Sequence, residues 1–125
     1  MIPWMAVVGY LILIWLVSQG PPPQAIAWDY MPNDKVLHAT EYMVLGLLLG
    51  WAGINTWPGR SRCWQLGAAF VIGLLAAASD ELHQYFVPER TSDIKDWMAD
   101  GLGLVVGLAL AELLSRSARL RADAR

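Results

Sequence analysis

The chain has 125 residues, 56% of them hydrophobic and only 16% charged, with a formal net charge of −2. That apolar fraction lies above the ordinary globular range, and the charge excludes nucleic acid as a partner. A lone cysteine, Cys63, excludes an intramolecular disulfide framework. The length suits a single domain, 1–125. Seven tryptophans suit a membrane–water interface, where an apolar ring with one N–H donor is at home.

A transmembrane helix needs about 20 mostly apolar residues, and four segments meet that description. The reading is all-α, a four-transmembrane-helix bundle with spans at about 2–17, 36–57, 64–87 and 94–114. The first carries no charge from Ile2 to Val17. No Lys or Arg precedes it, and the "QGPPPQ" that follows makes a poor cleavage site, so it reads as a span and not a signal peptide. The proline run stops that helix and favours an extended connection as far as Asp34. "PGRSR" and "PERTSD" read as short turns, and "SRSARLRADAR", 115–125, reads as a basic tail.

Arg60, Arg62, Arg116, Arg119, Arg121 and Arg125 fall on one side of these spans, and Lys35, Arg90 and Lys95 on the other. The positive-inside rule then places both termini in the cytoplasm of a bacterial-type inner membrane. Trp4, Trp57 and Trp64 would mark the inner interface, Trp28 and Trp97 the outer one. Asp29, Asp34, Glu41, Asp80, Glu81, Glu89, Asp93, Asp96 and Asp100 fall on the outer side or in the outer half of a span. The basic tail can rest on anionic lipid.

Asp34, His38, Glu41 and Tyr42 share a helical face at i, i+4, i+7 and i+8, and Leu45 continues it. Asp34 also suits a helix cap. A lone His is more often a packed core residue, but His38 has acids at i−4 and i+3. In the third span Asp80, Glu81 and Gln84 share a face, whereas His83 points elsewhere and lines the interface. Two carboxylates in low dielectric cannot both stay charged unless a cation neutralises them, which makes one a candidate general acid. In the fourth span Asp93, Asp96 and Asp100 are spaced i, i+3, i+7, and the face continues through Gly103, Gly107 and Ala111. Small residues at that spacing, like Gly46 and Gly50 in the second span, let another helix approach closely. If spans two, three and four pack together, these faces converge just under the outer surface. Arg90 and Lys35 then suit an anionic head group.

"DKVLHATEYMVLG", "SDELHQYFVPER" and "DWMADGLGLVVG" resemble the signature blocks of the VanZ-like family, named for a teicoplanin-resistance protein. The matching positions are Asp34, Lys35, His38, Asp80, Glu81, Gln84, Phe86, Pro88, Arg90, Asp96, Asp100 and Gly103. Asp100 departs from the Asn that the family often carries, and Glu89 from its frequent Gly. The resemblance implies a multi-pass membrane protein and, in the named member, reduced susceptibility to a lipid-tailed glycopeptide. It supplies no reaction.

Three functions compete. An enzyme at the outer leaflet would use His38, Asp80, Glu81 and Asp96 as catalytic acids and bases on a cell-envelope lipid or lipid-linked glycan. Lys35, Glu41, Gln84, Arg90 and Asp100 would bind the substrate, and Asp34 would support or cap. A variant of this enzyme holds a divalent cation through Asp80, Glu81, Asp96 and Asp100 with His38. The second function is a non-catalytic protein that shields lipid or binds glycopeptide antibiotic. The third is a small permease, for which four spans make a thin wall unless the chain forms an oligomer.

Overall fold

A computed structural model describes residues 2–20, 34–88, 90 and 92–124. The expected polyproline connection, Trp28, Asp29 and Glu89 lie outside the described residues. Four helices form: α1 (Ile2–Ser18), α2 (Asp34–Thr56), α3 (Arg62–Gln84) and α4 (Ile94–Asp123). Three of them, α2, α3 and α4, are long and apolar enough to cross a membrane. At 17 residues, α1 sits at the short end of the spanning range of about 17–25. Much of the outward surface is apolar, including Ile12 and Leu16 on α1, Val71 and Leu75 on α3, and Leu102 and Val105 on α4. Such a surface fits hydrocarbon better than water.

Several element boundaries differ from the sequence reading: α2 begins at Asp34 instead of Val36, and α3 ends at Gln84 instead of Val87. The third helix begins at Arg62 because Ser61 caps it, its hydroxyl accepting from the Trp64 N–H at 3.3 Å. The fourth helix does not give way to a tail at Leu114. It runs on to Asp123, through Ala, Leu, Ser and Arg with no Gly or Pro to stop it. Glu112 pairs with Arg116 one turn on at 2.6 Å, and Arg62 reaches Ser115 at 3.1 Å.

The helices alternate in direction. Trp4 at the start of α1 donates to Thr56 at the end of α2 (2.7 Å), and Arg62 at the start of α3 meets Glu112 late in α4 (3.3 Å). The end of α1, the start of α2, the end of α3 and the start of α4 therefore share the other end of the bundle. There Ser18 meets Asp80 and Lys35 meets Asp96.

Most of the packing lies between the parallel helices α2 and α4. Their seam is built on small residues. A methyl added at Gly46 would come within 2.6 Å of the Leu104 carbonyl, and one at Gly50 within 2.6 Å of Ala111 Cβ. On α4, methyls at Gly103 and Gly107 would overlap the carbonyls of Ala39 and Met43. Backbone thus lies directly on backbone, as small-residue repeats permit. Leu45, Leu49, Leu104 and Leu108 fill the interior along this seam.

Gly107→Ala should therefore force α2 and α4 apart and cost about 1–3 kcal/mol. Gly67→Ala, where the added methyl meets open space, should leave stability unchanged or raise it by about 0.5–1 kcal/mol. Thermal unfolding of both proteins in detergent micelles distinguishes these outcomes.

Candidate functional site

The end of the bundle where α1 and α3 finish and α2 and α4 begin holds almost every polar residue of the interior. His38, Asp80, Glu81, Gln84, Asp96 and Asp100 are all buried, and Asp100 is fully enclosed. Buried ionisable groups in an otherwise apolar bundle need internal partners. The side chains supply them in three connected groups.

The central group joins α2, α3 and α4. His38 Nδ1 lies 3.0 Å from Asp100 Oδ1. Ligand atoms of His38, Glu81 and Asp100 all lie within 4.8 Å of one another. Glu81 is oriented by the turn before α4. Its Oε2 accepts from the Ser92 hydroxyl at 3.0 Å and from the Asp93 N–H at 3.1 Å.

The second group lies between α2 and α4. Lys35 Nζ reaches Asp96 at 2.5 Å and Asp93 at 3.4 Å. Asp93 also caps α4, accepting from the Lys95 N–H at 3.0 Å. That N–H, followed by the Lys35 ammonium, holds the Asp93 carboxyl below its usual range. Asp34 is the half-buried first residue of α2, and it too has a carboxylate oxygen within 4.8 Å of His38 and Asp96.

The third group ties α1 to α3. Asp80 Oδ1 accepts from the Ser18 hydroxyl at 2.7 Å, and Oδ2 accepts from the Gln84 amide at 3.0 Å. Arg90 closes over the end of α1. Its Nε donates to the Gly20 carbonyl at 2.9 Å and its Nη2 to the Val17 carbonyl at 3.3 Å. Val17 belongs to the last turn of α1, whose carbonyls have no partner further along the helix, and Gly20 lies two residues beyond its end.

A cavity of about 250 Å³ opens between α1 and α2 beside these groups. Asp34, His38, Glu41 and Arg90 form its polar wall, with Val17, Leu37 and Val44 among its apolar lining. Tyr10 also lines it and holds α1 to α2 by donating to the Glu41 carbonyl at 3.1 Å.

All ten residues singled out from the sequence lie at this end, but they divide the work unevenly. The proposed metal set of Asp80, Glu81, Asp96 and Asp100 with His38 is not brought together as one cluster. Glu81 and Asp100 meet His38 on one side, and Asp96 with Asp34 meets it on another. Asp80 belongs to neither group among the described residues. Arg90 contacts backbone carbonyls and presents its remaining surface to the cavity. His83 is turned away from the cluster, its ring stacked on Trp15 with centroids 5.4 Å apart.

Sequence reasoning missed the contribution of α1. Ser18 is buried and holds Asp80, yet in sequence it is only the last residue of an apolar run. Ser92 was likewise hidden in a polar turn. The signal available for Ser18 was a hydroxyl at the depth of the acids on the neighbouring spans.

These features define an all-helical protein with membrane-span-like helices and a buried polar centre at one end. The VanZ/LLP1 family model matches residues 6–115, most of the chain. The protein belongs to the VanZ/LLP1 family. No curated protein and no solved structure matches it.

Ser18→Ala should leave Asp80 Oδ1 without its donor and lower stability by about 1–3 kcal/mol. Breaking the central pair should be worse: His38→Ala or Asp100→Ala alone should cost about 3–5 kcal/mol, and the double variant less than the sum. Unfolding of the two single variants and the double variant, run as a cycle in micelles, reads both quantities.

Proposed function

We propose that this protein spans the cytoplasmic membrane four times, with both termini inside and the polar centre facing outward, and acts on a cell-envelope lipid or lipid-linked glycan. Association with resistance to teicoplanin-type glycopeptides is part of the reading. The observation that carries it is the cavity between α1 and α2, lined both by the polar Asp34, His38, Glu41 and Arg90 and by the apolar Val17, Leu37 and Val44. A lining that combines charged and apolar side chains suits an amphiphile whose head is recognised while its chain stays in lipid.

The orientation is supported by charge. Arg60, Arg62, Arg116, Arg119 and Arg121 belong to the end that carries the termini, against Lys35, Arg90 and Lys95 at the polar end. Helix α1 is short for a span, at about 26 Å for a rise of about 1.5 Å per residue. Its hydroxyl contact to Asp80 and its apolar outward face support placing it in the bilayer beside the others.

In this reading His38 and Glu81 are the reactive pair. Asp100 holds the imidazole, and an oriented imidazole is suited to take a proton from an attacking hydroxyl or water. Lys35 and Arg90 supply positive charge for an anionic head group. Asp80, Gln84 and Ser18 fix the helix that carries Glu81, and Asp96 steadies Lys35.

A second reading has its own support. Asp80 has a donor on both oxygens, and Glu81 and Asp96 each commit one oxygen within the protein. Acids fixed in this way suit a rigid binding site that shields a lipid head group or captures the antibiotic without chemistry.

Envelope lipids and glycans should differ by mass spectrometry between cells with the wild-type chain and cells with Glu81→Gln at equal membrane abundance. Teicoplanin susceptibility should rise in parallel for Glu81→Gln and His38→Ala. Identical envelopes together with graded losses of protection would instead establish the shielding role. Unchanged envelopes and unchanged susceptibility would remove both readings.

A further inference from the structure

His38, Glu81 and Asp100 come from three different helices and are each more than nine-tenths buried. Each offers a ligand atom within 4.8 Å of the other two. Their hydrogen bonds leave two oxygens over. Glu81 commits Oε2 to Ser92 and Asp93, and Asp100 commits Oδ1 to His38. Glu81 Oε1 and Asp100 Oδ2 are buried with no hydrogen-bond partner among the described residues.

The contrast with neighbouring acids is informative. Asp80 has a donor on each oxygen, and Asp96 has the Lys35 ammonium. Among the described carboxylates at this end, the buried oxygens without a partner belong to the two acids that converge on the imidazole; the Tyr42 hydroxyl is also buried without one. Leaving two carboxyl oxygens in a low-dielectric interior without partners is costly, and one shared cation would satisfy both.

We propose that His38, Glu81 and Asp100 bind a divalent metal ion, with Glu81 Oε1 and Asp100 Oδ2 as its oxygen donors and the imidazole as its nitrogen donor. Carboxylates suit Mg²⁺, Ca²⁺ and Mn²⁺, whereas imidazole suits transition metals. Mn²⁺ accepts both. Three protein donors leave positions open for an external oxygen. The nature of that external ligand, an anionic oxygen of an envelope lipid head group, rests on the function proposed above; the metal site itself does not. With the ion bound, His38 is a ligand instead of a free base.

The test is Mn²⁺ titration of the full chain in detergent micelles after chelator treatment. Free Mn²⁺ is followed by electron paramagnetic resonance, and helix content by circular dichroism. The folded wild-type chain should take up one ion. Glu81→Gln and Asp100→Asn should each weaken binding by about tenfold or more. Glu112→Gln, at the opposite end of the bundle, should bind like wild type. His38→Gln provides a third variant in case a carboxylate change prevents folding. A folded wild-type chain that leaves the Mn²⁺ signal unchanged at millimolar ion overturns the proposal. So does undiminished binding in every folded site variant. No lipid is present in this titration, so its failure removes the metal site alone. The envelope comparison decides the lipid reading independently.

Discussion

A charged or hydrogen-bonding group enclosed by apolar helices must find its partner inside the protein, and the contact between His38 and Asp100 meets that demand across the deepest seam of this bundle. Asp100 lies about two turns into α4, where no solvent reaches it. It can be kept there because α2 delivers an imidazole at 3.0 Å. That delivery depends in turn on the glycines below, which bring the two backbones into contact. A wider seam would separate the pair and expose both groups to hydrocarbon with nothing to bind. The polar centre and the small-residue packing are therefore one design: each requires the distance that the other sets.

The remaining helices are arranged around this pair by polar contacts at their ends. Helix α1 touches α3 through Ser18 and Asp80, is closed over by Arg90, and is held to α2 by Tyr10 and Trp4. At the opposite end Arg62 links α3 to α4 through Glu112 and Ser115, while Gln65 donates to the Arg60 carbonyl at 3.2 Å and so closes the short turn. Between these ends the helices meet mainly through aliphatic side chains and, along the α2–α4 seam, through backbone at the glycines. In lipid such contacts have no hydrophobic preference for protein over bilayer. The directional bonds at the two ends consequently decide which helix lies beside which.

The helices and the gathering of acids at one end were readable from the sequence because both follow from local periodicity. Asp34, His38 and Glu41 recur at helical spacing, as do Asp96 and Asp100, and hydropathy marks the segments that carry them. What periodicity does not contain is pairing between helices. It could not tell that Asp80 would turn to Ser18 and Gln84 while Glu81, the next residue, faced His38 and Asp100. Arg90 resembles an anion receptor in sequence, but the nearest acceptors in space are two carbonyls at the end of a helix more than seventy residues away. The end of α4 was misread for a related reason. Arginine-rich composition suggests a tail, whereas alanine, leucine and arginine together carry a helix onward, and Glu112 and Arg62 anchor its start.

The four-residue repeat in α4 has a consequence for how the chain finds its alignment. Ala99, Gly103, Gly107 and Ala111 recur every four residues, and α2 answers with Gly46 and Gly50. Sterically, such a ladder is nearly self-similar, and α4 could slide by one turn and still present small residues to α2. The acids share the same period, since Asp96 and Asp100 are also four apart. The partners on α2 differ from each other, however, with an ammonium at Lys35 and an imidazole at His38. A one-turn slip would offer Asp96 to His38 and take it from Lys35. The two dissimilar partners thus work as a vernier on a uniform scale, and they single out one setting among neighbours that shape alone would leave nearly equivalent.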